Sequence, residues 1–325
     1  MTAPIIRRAL LYVPGSSKKM LDKSRGLNVD CVAYDLEDSV TPGKKAEARS
    51  NIVSLLQQPC AKGIREQAVR INSVDSGYAL DDLTEVLKAP NLDAIVVPKV
   101  NSPSDLHFIT DILRHRLPSR HPSFPSPTTS SDSTVEPPIR IIALVESARS
   151  LLSLPAICTA SPYLSGLIFA AEDFAHDLSI TRTPSLTEFL YARSAIVAAA
   201  RAHNLPSAID LVATSYRSES ALQMLEEECA GGKRLGFNGK QVIHPAQVDV
   251  AQRVFSPGEE EVEWAVRVCV ADEKADRVGR GAWTLDGKMI DAPVAKKARA
   301  VVERARACGA DVEGVRERWK GEEPE

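Results

Sequence analysis

The chain has 325 residues, 44% of them hydrophobic and 26% charged, with 40 Lys and Arg against 43 Asp and Glu for a formal net charge of -3. That length holds one large α/β domain with an appendage, and the lack of a basic excess, or of Lys/Arg runs interleaved with aromatics, argues against nucleic acid as a partner. No apolar stretch approaches the roughly 20 residues needed to cross a bilayer, so no membrane partner is expected.

Along the chain, MTAPIIRRALLYVPG enters a strand pattern almost at once, and neither a signal peptide nor a full transit peptide is expected from it. Short apolar runs then recur at Ala9 to Val13, Cys31 to Leu36, Ala68 to Ile71, Ala94 to Val97, Ile139 to Val145, Leu167 to Ala171 and Ala208 to Val212, with a weaker one around Leu235 to Ile243. Helical patterns lie between several of them, at Lys44 to Leu56, Ala79 to Leu87, Leu186 to His203 and Ser218 to Cys229. Alternation of this kind over about 250 residues suggests an α/β fold, a (β/α)8 TIM barrel over residues 1–256, whose site would lie at the C-terminal ends of its strands. A doubly wound open sheet is the competing layout, disfavoured because no GxGxxG follows the first strand. The segment 118–138, PSRHPSFPSPTTSSDSTVEPP, is read as a mobile Pro/Ser-rich surface loop. Residues 257–325 read as a C-terminal helical lid and tail: a helix from Glu259 to Val278, the loop GRGAWTLDGKMIDAP, a helix from Val294 to Gly309 and a frayed acidic end, GEEPE. The six cysteines are far apart and read as small buried hydrophobes in a reducing compartment.

Three apolar runs end in carboxylates: VAYDLED (Asp35, Glu37, Asp38), IRIIALVES (Glu146) and LSGLIFAAED (Asp173). Charged oxygens left in a closing cleft need a cation. Glu146 and Asp173 would end neighbouring strands five and six, where two carboxylates can hold one hard divalent ion; the structural alternative is that each caps a helix or pairs with an arginine. Glu37 and Asp38 would order metal-bound waters or orient a basic group, the alternative being an ion pair with Arg70 or Lys99. Arg70, ending AVRIN, and Lys99, ending AIVVPK, bring cations to the same mouth, suited to an enolate or a carboxylate. The first strand turns at LYVPGSSKK, a basic, Ser-containing turn with Lys18, Lys19 and Lys23 that suits the phosphates of an extended cofactor, although the P-loop spacing is absent. No Gly-x-Ser-x-Gly or HExxH occurs, His244 reads as a hydrogen-bonded structural residue, and Trp264, Trp283 and Trp319 read as packing of the C-terminal part.

In order, RRALLYVPG, DLEDSV with GKKAEAR, VRIN, VPK, ALVESA, AAEDF and GFNGKQVIHPAQ make the chain resemble the citrate lyase β-subunit-like family, the citramalyl-CoA lyase and malyl-CoA lyase group of the HpcH/HpaI aldolase superfamily. The resemblance spans nearly the whole chain. It implies a TIM barrel that uses Mg2+ to cleave or form carbon–carbon bonds in 3-hydroxyacyl-CoA thioesters and assembles as a homotrimer or dimer of trimers. By motif, it implies Glu146 and Asp173 as metal ligands, Arg70 at the substrate's oxygens, and Tyr12, Lys19 and Lys23 at the CoA entrance. It further implies a lid aspartate acting as acid/base in a neighbouring subunit, Asp291 rather than Asp286 by its match to the MID element. Citramalyl-CoA, giving acetyl-CoA and pyruvate, is the first substrate expectation; malyl-CoA lyase or malate synthase activity is the second. A non-catalytic acyl-CoA-binding barrel, or a subunit of a larger lyase assembly, is the reading from another class, and an aldolase acting on free ketoacids is a third. Relatives work in mitochondria and in cytoplasm. The Pro/Ser insertion departs from the family's pattern on the side away from the mouth.

Overall fold

A computed structural model describes residues 5–122 and 137–325. Residues 7–252 form one compact unit, and residues 253–325, with the N-terminal residues up to Ile6, form a second.

The first unit is a closed, all-parallel barrel in sequence order: β1 (Ala9–Pro14), β2 (Val29–Asp35), β3 (Ile64–Arg70), β4 (Ala94–Val97), β5 (Arg140–Val145), β6 (Leu164–Phe169), β7 (Ser207–Asp210) and β8 (Gly239–Val242). The ring closes where Ala9, Leu10 and Leu11 pair with Lys240, Gln241 and Val242. Side chains alternate faces along a strand, so Leu10, Cys31, Ala33, Ala68, Ala94, Val96, Ile142, Leu144, Ile168 and Ile209 pack together as the barrel's interior. One step further along the same parity stand Tyr12, Asp35, Arg70 and Glu146, at the C-terminal rim. The barrel interior is thus apolar through its middle and charged at its mouth.

The other end is plugged by one guanidinium. Arg7 donates through Nε and Nη2 to both oxygens of Glu66 at 2.5 and 2.7 Å, and through its Nη atoms to Ser165 Oγ at 3.0 Å and Ser207 Oγ at 3.2 Å. It therefore ties the starts of β3, β6 and β7 together. A buried pair of this kind is stable only because its remaining donors find partners as well.

The second unit has its own core, in which Val262, Val266 and Cys269 of the helix Glu259–Arg277 pack with Trp283, Leu285, Ile290, Ala298, Val302 and Val312. Several sequence expectations are corrected here. The loop GRGAWTLDGKMIDAP contains a β-hairpin, β9 (Trp283–Leu285) against β10 (Lys288–Ile290). Its two-residue turn is Asp286–Gly287, both at positive φ (49° and 71°), as an Asp-Gly hairpin turn requires. The acidic end is not frayed: Glu325 and Thr284 exchange two backbone hydrogen bonds at 3.1 Å, and Lys274 and Arg267 hold Glu323 and Glu322. A further helix, Val312–Arg318, precedes it. In the segment read as a mobile loop, Pro118–Arg120 is a 3-10 turn with Arg120 buried and donating to the Pro137 carbonyl at 2.7 Å; residues 123–136 of that expectation lie outside the described residues. Four cysteines are buried as expected, but Cys60 is exposed and Cys308 partly so. Among the described residues, no helix is long and apolar enough to cross a membrane.

Candidate active site

At the C-terminal rim the barrel opens into a cavity of about 980 Å³ lined by Tyr12, Lys19, Lys23, Asp35, Asp38, Arg70, Leu144, Glu146, Asp173, Val212, Gln241 and His244, among others. Seven of the predicted site residues thus line one space: Tyr12, Lys19, Lys23, Asp38, Arg70, Glu146 and Asp173. Asp286 and Asp291 belong to the second unit.

Arg70 is the hub. Its Nε and Nη2 donate to the two oxygens of Asp35 at 2.7 and 2.8 Å, and its Nη1 lies 3.1 Å from Glu37 Oε2. The guanidinium stacks on the Tyr12 ring at 4.5 Å, a cation–π contact available to a planar cation. Tyr12 in turn donates its hydroxyl to Gln241 Oε1 at 2.9 Å, and Gln241 Nε2 donates to the Phe169 carbonyl at 2.8 Å. Burial raises the pKa of the Tyr12 phenol, so this hydroxyl stays a neutral donor. Burial alone would also raise Asp35, but the hydrogen bonds and charge of Arg70 outweigh it and hold that carboxyl below its ordinary value. Gln241 was not among the residues read from the sequence, although its pairing position opposite Leu10 marks it as inward-facing.

Glu37 takes the ion-paired reading: besides Arg70 it accepts from Lys99 Nζ at 2.8 Å. Even so, burial keeps its pKa raised. Asp38 is more exposed, 3.5 Å from Arg70 and 3.9 Å from Lys99. Lys99 itself sits in the left-handed region at φ 51°, a conformation that costs a non-glycine residue on the order of 1–3 kcal/mol and clusters at functional sites. There its backbone N–H donates to Glu146 Oε1 at 3.2 Å. The ammonium pKa is raised overall, burial lowering it but the Glu37 hydrogen bond and charge prevailing.

Glu146 follows β5 and is buried. Among the described residues its side chain has no ion-pair partner, and burial, followed by the charges of Glu37 and Asp173, pushes its pKa up to about 8. Asp173 does not end β6 as the sequence suggested. β6 stops at Phe169, and Asp173 stands exposed in the first turn of the helix Ala171–Leu178. Two carboxylates of which one is buried and crowded by like charge form a donor set that a hard divalent cation takes, with water and substrate oxygens completing its shell. No described group of three or more His, Cys, Asp or Glu is arranged to hold a metal; a two-carboxylate site does not require one.

Lys19 and Lys23 are one turn apart on the helix Lys18–Ser24, which Ser17 caps, so the basic turn is mostly helix. His244 accepts from the Ala246 N–H at 3.2 Å and stacks on Tyr216 at 4.3 Å, consistent with its structural reading. In the second unit Asp286 is held by Arg267 at 2.7 and 2.9 Å, whereas Asp291 caps the helix Ala292–Ala307 by accepting from Val294 N–H at 3.1 Å.

The chain is similar to known proteins in sequence and in fold. Residues 8–245 match the family described as HpcH/HpaI aldolase/citrate lyase. The chain is 37% identical over 310 residues to the mitochondrial citramalyl-CoA lyase of Homo sapiens, covering 93% of this chain and 86% of that one. It is 35% identical over 316 residues to the citrate lyase subunit beta of Haemophilus influenzae, covering 96% and 99%. The crystal structure of the protein CitE from Mycobacterium tuberculosis, in complex with magnesium, acetoacetate and coenzyme A, superposes with a TM-score of 0.69 at 26% identity over 94% of this chain and 98% of that one. By class, the chain is a carbon–carbon lyase on a parallel barrel. It belongs to the HpcH/HpaI aldolase/citrate lyase family.

Proposed function

We propose that this enzyme cleaves a 3-hydroxyacyl-CoA thioester with Mg2+, and that citramalyl-CoA, yielding acetyl-CoA and pyruvate, is its substrate. The observation that carries the reading is the convergence of Glu146, Asp173 and Arg70 on one cavity. The names of the human relative and of the Mycobacterium tuberculosis complex point the same way. Glu146 and Asp173 are the residues that would hold the metal. They fit it because Glu146 is a buried carboxylate that forms no salt bridge among the described residues and lies close to the charge of Asp173. When bound, the metal supplies a Lewis-acid charge beside the substrate's hydroxyl and carboxylate oxygens.

The bond between the carbinol carbon and the CH2 next to the thioester breaks. The hydroxyl gives its proton to solvent and becomes the ketone of pyruvate, while the electron pair passes to the thioester as an acetyl-CoA enolate, which takes up one proton in return. Arg70, pre-set by Asp35 and Tyr12, places a fixed positive charge where that enolate oxygen develops, an arrangement that needs no reorganisation during the reaction. Lys19 and Lys23 attract the CoA phosphates at the cavity's edge. Glu37 and Asp38 orient Arg70 and Lys99, and would order the water of a bound cation. Asp291, from a neighbouring subunit of a homotrimer or dimer of trimers, protonates the enolate carbon. We place the enzyme inside the cell, in mitochondria or cytoplasm.

Purified protein assayed alone with Mg2+ and citramalyl-CoA or malyl-CoA side by side tests the reading. The two substrates differ by a methyl group, worth about 1–3 kcal/mol in a pocket, so a rate preference for citramalyl-CoA of about tenfold or more is expected. A preference for malyl-CoA moves the substrate assignment, and no turnover without added subunits favours a role in a larger assembly, as the name of the Haemophilus relative suggests. Asp291→Asn is expected to lower kcat by about 100-fold or more while leaving Mg2+ affinity unchanged; full activity would dismiss Asp291 as the acid.

A further inference from the structure

The helix that carries Asp173 starts without a cap. Ala170, at its N-cap position, offers no side-chain acceptor, and the helix has only 8 residues. The first turn of a short uncapped helix depends on side-chain contacts for its order, and that is the turn holding Asp173. The side chain of Glu172 in that first turn is instead held by Arg182, a few residues beyond the helix's far end. Its Nη1 donates to Glu172 Oε1 at 2.5 Å and to the Val212 carbonyl at 3.1 Å, and its Nη2 donates to Glu228 Oε1 at 3.0 Å. Glu228 Oε2 lies 2.9 Å from the fully buried ammonium of Lys240 on β8. One guanidinium thus ties the first turn after β6 to the end of β7 and, through Glu228, to the barrel wall.

We infer that Arg182 is a positioning residue for Asp173, holding its turn at the cavity through Glu172. Asp173 itself has no hydrogen-bond partner among the described residues; buried Ala171 and Phe174 seat the helix on the barrel, and the Arg182–Glu172 contact adds a polar tie at the turn that carries Asp173. The clamp also separates the roles of two adjacent acids: Glu172 is consumed by Arg182, and Asp173 is left free to take a ligand. This inference rests on the reading of Glu146 and Asp173 as metal ligands and goes beyond it by naming what orients one of them.

The test is calorimetric titration of Mg2+ alone into the full-length protein, without substrate. Arg182→Ala is expected to weaken Mg2+ binding by about 10- to 100-fold, the usual effect of losing a partner that orients a ligand. Glu172→Ala should weaken it similarly, and the double variant should bind no more weakly than Arg182→Ala, because both changes break one link. Arg182→Lys, which reaches fewer acceptors, should fall between. If Arg182→Ala fails to fold, Glu172→Ala carries the test alone, since its side chain is 53% exposed and no core depends on it. Wild-type Mg2+ affinity in Glu172→Ala, or additive losses in the double variant, would overturn the inference while leaving the ligand assignment intact. Absence of Mg2+ binding to the unmodified protein would overturn both.

Discussion

Arg70 grips Asp35 through two hydrogen bonds, at 2.7 and 2.8 Å, in a place where Asp35 has no contact with solvent. The folded carboxyl therefore has a lower pKa than the unfolded one. Its contribution to stability is complete above the unfolded value, about 3.9, and is lost as pH falls through the lower folded value. Arg70→Met leaves an unpaired buried carboxylate and is expected to cost about 3–5 kcal/mol at pH 7. It should also raise the folded pKa of Asp35, so that acid destabilisation begins at higher pH. Adding Asp35→Asn should recover most of the loss and flatten the profile between about pH 5 and 3. Urea midpoints across that range check both, and a single variant that keeps the wild-type profile would show that the pair does not govern Asp35. The presence of these acids and of Arg70 at the mouth was legible, since two-residue alternation assigns Tyr12, Asp35, Arg70 and Glu146 to one face from their neighbours. The pairing was not. Alternation puts Asp35 and Glu37 on the same face without choosing between them, and only strand register brings Asp35 beside Arg70.

At the scale of elements, β8 shows how little a strand needs to announce itself. It is four residues, GKQV, with one large hydrophobe and a buried lysine, and its neighbours on both sides define it. Gly239 is what lets it close the ring: a Cβ there would lie 1.8 Å from the Arg7 carbonyl oxygen, and that backbone belongs to the segment entering β1. Gly239→Ala is expected to destabilise the fold by about 3 kcal/mol, at the upper end for overpacking. Gly43→Ala, where a Cβ meets nothing within 4 Å, should change stability by about 0.5 kcal/mol or less. Equal denaturant midpoints for the two variants would mean that the seam yields. Strands one to seven were readable because each pairs an apolar run with a turn. The β9–β10 hairpin was equally readable from its Asp-Gly turn, but its strands are three residues each, too short for alternation to register.

For the whole molecule, a ligand that binds only the folded state adds RT ln(1 + [L]/Kd) to its stability. Mg2+ at a hundred times its Kd is therefore expected to raise the unfolding free energy of the protein by about 2.7 kcal/mol, and a variant carrying Glu146→Gln and Asp173→Asn should lose that increment. Thermal unfolding with Mg2+ and with a chelator checks this, and an equal rise in the double variant would place the ion elsewhere. The order of apolar runs and helical stretches by itself determined the barrel, because period-two and period-3.6 patterns are local properties of the chain. It also put Asp35, Arg70 and Glu146 at the rim, because parity along a strand is local too, whereas Asp173 reaches the cavity from the helix after β6. Closure of the ring decided the rest. It placed Glu172 against Arg182, turned Lys99 into the left-handed region beside Glu146, and seated Gln241 under Tyr12. Those contacts join residues 10 to 229 positions apart, and no local pattern encodes which of several similar side chains a distant partner will meet.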